Sequence, residues 1–530
     1  MALLPRILTR LAVSLAPLSL CIAIHASTAP EPYYQGKSLT MWTDALAEPN
    51  PEIRARAATA IGQMDLRARS AIDDLTALLR DPDARVRRAA AATLGSMGPI
   101  ARRSVPALTI CVNDLDHDVR YEACVALGEM GPDAATAAAA LGGLLGKPDE
   151  DVVVAAAATA LGKIGVAAVP ALIANLHSTS PYVRTLSADA LGAIGPAALP
   201  ALPALRDRLT DTSGAVRGSA AAAIGAIGPA AKAATASLIA AMGDPVLPVR
   251  VKSAEALGRI GPGAGSALPA LRVAGASPEA TLRVAAAAAI WEIARDARAA
   301  LPPLLSAADD DDPVVRTQVM RLLGTIGPRI VGVVGALVSA LNDSDIDVRS
   351  EAIASLGEIG RDAGAAAEPL RPLLNDSAPQ IRLAAATALW RIDQRPSEVI
   401  TPLHELLQDK WWIIRAAAAS GIGQVGPPAL SMASPLRRAM KDSFATVRIA
   451  AAAALWRVTG ESDETLPILA AAAADDTTRE LYARQAAIVA LGQMGAAARP
   501  AVPTLQRDLQ DDFPVIRNAA RDALTTIARR

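Results

Sequence analysis

An arginine that follows an apolar residue and opens a run of small residues, usually ending in Leu-Gly, returns throughout this chain. It stands at 54, 87, 120, 184, 217, 250, 283, 316, 349, 382, 415, 448, 484 and 517, with a usual step of 33 residues. Val154 fills the same column between Arg120 and Arg184, so one unit recurs fifteen times, fourteen of them with the arginine. A chain of this length would otherwise suggest roughly three or four separate cores. Self-similarity at a fixed period points instead to a stack of supersecondary units, each too small to bury its own apolar face.

Within one unit the punctuation specifies two antiparallel helices. In the third unit, Ser104 is placed to cap a first helix with Pro106 near its start. Val105, Leu108, Cys111 and Val112 share one face at helical spacing. Asn113 and Asp114 end that helix. Asp116 and Asp118 put negative charge at the start of a second helix, whose inner stripe is Val119, Ala123, Ala126 and Leu127. Gly131-Pro132 stops it, because glycine adopts the left-handed conformation without penalty and proline cannot continue the helix. The stop recurs at Gly98, Gly195, Gly228, Gly261, Gly327 and Gly426. The fold class is therefore all-α: an α-solenoid of about fifteen helix-turn-helix repeats, a curved rod on the order of 130 Å along its path at ordinary helix spacing.

The first residues read as a secretory signal peptide. Arg6 and Arg10 precede an uncharged stretch from Leu11 to Ile24, with small residues after it and a cut expected after Ala26. The expected organisation is signal peptide 1–26, linker 27–37 and continuous solenoid 38–530, exported to the periplasm, the envelope or the medium. Cys21 follows Leu20 inside the apolar stretch, which argues against a lipid anchor; an uncleaved anchor helix is the chief rival. Ile164 to Val183 carries no formal charge, but Pro170, Asn175, His177 and Pro181 interrupt it at a joint between repeats, so no membrane span is expected in the mature chain. Lys and Arg total 52 against 53 Asp and Glu, which leaves no excess of positive charge for phosphates and argues against a nucleic-acid partner.

These residues resemble HEAT repeats, and more closely the short HEAT-like subclass also seen in phycobilin lyases, from Ser38 to Arg530. The resemblance implies a ladder in which an Asp in the turn between the two helices and an Arg six residues later bond adjacent repeats. The pairs are Asp81 and Arg87, Asp114 and Arg120, Asp211 and Arg217, Asp244 and Arg250, Asp310 and Arg316. They continue with Asp343 and Arg349, Asp376 and Arg382, Asp409 and Arg415, Asp442 and Arg448, Asp511 and Arg517. The repeats at Val154, Arg184 and Arg283 depart from the pattern, and the ladder is expected to falter there. The arginines are thus read as structural, not as an anion-binding row.

The resemblance further implies a binding scaffold without catalytic residues or cofactor. HEAT-like deoxyhypusine hydroxylases carry several His-Glu pairs around two irons, whereas His404-Glu405 stands alone here. His117 and His177 lie in other repeats, and Asp116-His117-Asp118 reads as helix capping rather than a metal site. The run Asp309 to Asp312 reads as a solvated turn, since it lacks a glycine-containing calcium loop. Cys111 and Cys124 occupy columns held elsewhere by small or apolar residues; a disulfide between them is the alternative to two buried thiols.

Tryptophan is the exception to an otherwise alanine-rich composition, in which aromatics make up 2 %. Trp291, Trp390 and Trp456 each replace the Gly of Leu-Gly, above the bare runs Ala285–Ala289, Ala384–Ala388 (with Thr387) and Ala450–Ala454. They read either as the edge of a groove or as filler where inter-repeat turns change shape. Trp411 stands in a column that is mostly polar elsewhere, and Trp412 adds a second ring beside it. The expected function is a non-catalytic scaffold that binds a protein or peptide on its concave face, with Trp411 and Trp412 as first anchors. The alternatives are a HEAT-like lyase or metal-dependent modifying enzyme, and a spacer tethered by its N-terminal helix.

Overall fold

The computed structural model describes residues 32–147, 151–327, 332–475 and 481–529. The expected signal peptide and Cys21 lie outside the described residues. From Leu39 onward the chain is a continuous succession of helix pairs. The third repeat shows the standard unit: a 3-10 segment Gly98–Ser104, a first helix Val105–Cys111 and a second helix His117–Met130. Asp116 caps the second helix by accepting from the Val119 amide, and Gly131 ends it at φ +58°. Ser104 does not cap the first helix as expected. It is buried, and its hydroxyl pairs with that of Thr76 at 2.6 Å, because the 3-10 segment leading in has already redirected the chain.

Second helices pack on second helices through a seam of the smallest residues. A Cβ added to Gly95 would lie 2.8 Å from Cα of Ala126; the same is true of Gly225 against Ala256, and Gly423 meets Ala454 at 3.0 Å. First helices of neighbouring repeats touch far less, so the closely spaced second helices form the inner, concave row. The core runs unbroken along the stack between the two rows.

At three joints the seam is interrupted. Trp291, Trp390 and Trp456 stand where the glycine should be, and at each of them the following second helix stands away from its neighbour. Their helices, Ala280–Ala294, Pro379–Asp393 and Ala445–Thr459, are one residue longer than the standard 14. They end in a left-handed residue, Arg295, Gln394 or Gly460, and lead straight into the next helix without a 3-10 segment.

The Arg and Asp columns meet across repeats, with an offset. Arg87 donates Nη1 to the backbone carbonyls of Asp81 and Pro82 in its own turn, while Nε and Nη2 grip the carboxylate of Asp114 in the next repeat at 2.8 and 2.6 Å. The same bidentate grip joins Arg54 to Asp81, Arg184 to Asp211, Arg217 to Asp244, Arg316 to Asp343 and Arg415 to Asp442. Each Asp also accepts the amide two residues ahead, as Asp114 does from Asp116. So Asp and Arg of one repeat are tied through a carbonyl, and the charge pair belongs to neighbours.

Arg184 keeps its full grip on Asp211 although its own turn offers only the Ser178 and Thr179 carbonyls. The faltering expected at that repeat does not occur on the donor side, since the carbonyl, not the carboxylate, is what Arg184 needs from its own turn. At Ser277 the missing carboxylate is supplied by Glu279, which Arg250 reaches at 3.0 Å. Arg283 grips no carboxylate, and its Nε is buried without a partner. Among the described residues, no ion pair links Arg349 to Asp376 or Arg382 to Asp409, although both have the motif; each arginine keeps its two carbonyl bonds.

Part of the expected linker is a hairpin: β1 (Tyr33–Tyr34) pairs antiparallel with β2 (Lys37–Ser38) around Gln35 and Gly36, both at positive φ. It covers the open end of the stack, where buried Trp42 donates Nε1 to the Tyr34 carbonyl at 3.1 Å under the Lys37 ammonium. Three runs, Asp151–Asn175, Pro181–Arg208 and Gly214–Ala241, are long and apolar enough to cross a membrane by length and composition. Each is two helices joined by a 3-10 segment that begins at a glycine with positive φ, Gly165, Gly195 or Gly228, and packs within the stack.

Replacing Gly225 by Val forces the seam apart and should lower stability by about 1–3 kcal/mol, read as a shift of the urea midpoint. Asp114→Ala should cost about 1–3 kcal/mol, whereas Asp376→Ala, whose carboxylate only accepts the Ala378 amide, should cost clearly less in the same assay. Hydrogen bonds from Arg217, Arg316 and Arg415 hold the carboxyls of Asp244, Asp343 and Asp442 below their ordinary value. Their contribution is therefore complete above the unfolded value near about 3.9 and is lost as pH falls through the lower folded values. Helicity followed by circular dichroism during acid titration should drop in that range, and start to drop at higher pH in Asp442→Asn.

Candidate functional site

The five tryptophans singled out from the sequence fall into two unlike settings. Trp291, Trp390 and Trp456 are half-buried and packed against the core at the three spread joints. Trp390 donates Nε1 to the Gln424 carbonyl of the next repeat at 3.0 Å, Arg295 lies over the Trp291 ring, and the Trp291 Nε1 is buried without an acceptor. These rings fill the space that opens when the second helices part. They do not stand as a free rim along an alanine floor, and of the two readings of these positions the geometry favours filler.

Beside Trp291 the parting leaves a cleft of about 1000 Å³ on the concave face. Its floor includes Val251, Ala285, Ala288 and Leu322, and Glu255 and Arg259 stand among its polar lining. Most of the charge there is already engaged: Arg295 pairs with Glu292 and Arg321 with Glu351.

Trp411 and Trp412 sit elsewhere, at the rim where second helices begin. Trp411 is the N-cap residue of the helix Trp412–Val425, fixed by donation of its amide to Asp409. Its ring is 57 % exposed under the Lys410 ammonium, and Ile413 beside it is 60 % exposed. Trp412 reaches across to the next repeat and stacks on Phe444, ring centroids 5.7 Å apart. Phe444 is the N-cap residue of its own helix and occupies the column of Trp411, which is Asp83, Asp116, Ser180 or Asp312 in other repeats. Sequence reading missed Phe444 and Ile413; the column comparison that singled out Trp411 contained the signal for Phe444, whereas the column of Ile413 also holds Val152, Tyr182, Val314 and Val515. The result is a continuous apolar rim over two repeats, flanked by exposed Lys410 and Lys441.

The remaining candidates are accounted for by local structure. Cys111 and Cys124 are buried thiols, not a disulfide. Cys111 donates to the Leu79 carbonyl, and burial pushes its pKa up to about 11, so it stays protonated. Asp116 spends its carboxylate on the Val119 amide, and His117 lies against Asp118. His404 contacts Gln408 one helical turn on. In the acidic run, Asp310 accepts the Asp312 amide and Asp312 caps the helix Pro313–Ile326. Among the described residues no group of three or more His, Cys, Asp or Glu side chains is placed to hold a metal ion.

No curated protein sequence matches the chain. Among solved structures it is similar to yeast importin-β (Kap95p), at 15 % identity and a TM-score of 0.61, covering 92 % of this chain and 76 % of that one. It is also similar to importin-β crystallised in ammonium sulfate, at 15 % identity and a TM-score of 0.51 over 92 % and 79 % of the two chains. A complex of Kap95 with Nup1 gives 13 % identity and a TM-score of 0.51 over 93 % and 88 %. At such identities the likeness concerns the fold. The family model for HEAT repeats matches residues 39–114, 105–192, 153–225, 169–258, 202–291, 334–423, 400–482 and 433–525. With repeat, seam and ladder all in place along that span, the chain belongs to the HEAT-repeat family.

Proposed function

We propose that this chain is a non-catalytic scaffold of the cell envelope that holds a protein partner, anchored on the rim formed by Trp411, Trp412, Ile413 and Phe444. The single observation behind it is that rim: four exposed apolar side chains brought together from two repeats, with Trp411 and Phe444 in the N-cap column that is polar in most other repeats. An edge that holds indole and phenyl rings in water has the composition of a binding hot spot. The carboxylates of Asp409 and Asp442 beside it are spent on the Trp411 amide and on Arg415, whereas Lys410 and Lys441 are exposed. The matching partner segment is apolar with acidic flanks, continuing from the rim onto the concave face. A solenoid of similar fold has been solved with a protein partner, Nup1, which supports a scaffold role. The envelope location rests on the charged and apolar pattern of residues 1–26.

The test is a cross-linking capture from envelope fractions with wild type and with Trp411→Ala/Trp412→Ala, followed by titration of the purified captured protein. The double variant should keep its helicity and weaken binding at least about tenfold, the scale of one lost aromatic anchor. Unchanged affinity moves the site elsewhere on the solenoid, and capture of nothing by wild type favours a spacer. Protein purified from the envelope should begin at Ser27; an intact N-terminus would replace export and cleavage by a retained anchor.

A further inference from the structure

We infer that the solenoid is closed on itself by a clasp between its last repeat and its second and third. Arg102 donates Nη1 to the Asp512 carboxylate at 3.0 Å, across 410 residues of sequence. The two surfaces come from opposite edges of the stack. Arg102 lies in the 3-10 segment Gly98–Ser104 between repeats, whereas Asp512 lies in the turn between the two helices of the final repeat. Arg69 and Ile100 from one side, and Arg507, Asp508, Gln510 and Phe513 from the other, line a shared cavity of about 180 Å³.

The C-terminal half of the clasp is rigid. Arg484, 6 % exposed, pairs with Asp508 at 2.8 Å and Asp511 at 2.7 Å and donates Nε to the Ala473 carbonyl. Asp508 lines the shared cavity and is wholly buried, with its second carboxylate oxygen unpartnered. Three carboxylates, Asp508, Asp511 and Asp512, thus face the N-terminal edge, where Arg69 and Arg102 hold the same column of consecutive repeats. Later repeats place Ala135, Leu199, Gly265, Gly364 or Leu430 in that column, and where it is basic again, at Lys232, Arg298 and Arg499, the adjacent repeats are not. The paired arginines occur where the acidic turn arrives.

An exposed ion pair alone is weak and is screened by salt. It closes the molecule because both halves belong to one chain, so their effective concentration is high. The same two edges meeting between copies would build an open head-to-tail filament instead. Closure makes the concave row of second helices an enclosed surface.

Small-angle scattering of the full mature chain tests this directly. Wild type should expand between about 0.05 M and about 0.5 M NaCl, as the clasp is screened. Asp512→Arg should be open in both, with a radius of gyration larger by roughly a tenth or more than wild type at low salt. Adding Arg102→Asp to Asp512→Arg restores the ion pair in reverse and should restore the compact form at low salt. The inference is overturned if Asp512→Arg, with helicity intact, scatters like wild type at low salt, or if the double reversal stays open. Mass that grows with concentration in wild type and not in Asp512→Arg would overturn it in favour of the filament.

Discussion

A glycine hydrogen facing an alanine methyl sets the spacing of this molecule. Where Gly95 meets Ala126, or Gly225 meets Ala256, two helix backbones come closer than any larger pair of side chains permits. Much else depends on that approach. It places the second helices on the inside of the curve, and it brings successive turns within reach of one another. A guanidinium can then span from its own turn to the carboxylate of the next. The alanine-rich composition is a condition of the geometry as well as a helix-forming preference.

Where the small-residue contact is lost, several features change together. The tryptophan repeats end in a left-handed residue rather than the Gly-Pro stop, omit the 3-10 segment and part their second helices. At two of these joints, after Arg283 and after Arg382, the arginine does not reach the following Asp310 or Asp409. The reach is lost from Arg349 to Asp376 as well, where Gly357 still packs on Ala388, so a ring at the glycine column is one way, and not the sole way, in which the ladder breaks. The stack is therefore not uniform: blocks of close-packed repeats are separated by looser joints.

What was legible in the sequence follows from how few residue types a position accepts. The Gly131 stop and the arginine column each admit little else, so the repeat, its two helices and its boundaries could be read directly. The offset of the ladder could not. Asp114 stands six residues before Arg120 and 27 after Arg87, and both spacings fit the same periodic string; only packing shows that the carboxylate answers Arg87. Trp291, Trp390 and Trp456 were visible as departures, but whether a ring lines a groove or fills a gap depends on where the neighbouring helix goes. Phe444 was passed over because its partnership with Trp412 crosses a repeat boundary. The Arg102 contact with Asp512 depends on accumulated curvature, which no local pattern encodes.

The ladder's offset gives the stack a direction: each standard turn receives a guanidinium from the repeat before it and offers its own to the repeat after. Any standard donor matches any standard acceptor, as Arg54, Arg217 and Arg415 show by making the same grip in distant parts of the chain. A gene for such a protein can gain or lose whole 33-residue units by unequal recombination, and a standard arginine at the new joint still finds a carboxylate. A cut within a unit would strand one at each side. The length of the molecule is thus open to evolutionary change in one fixed increment, while its joints are not.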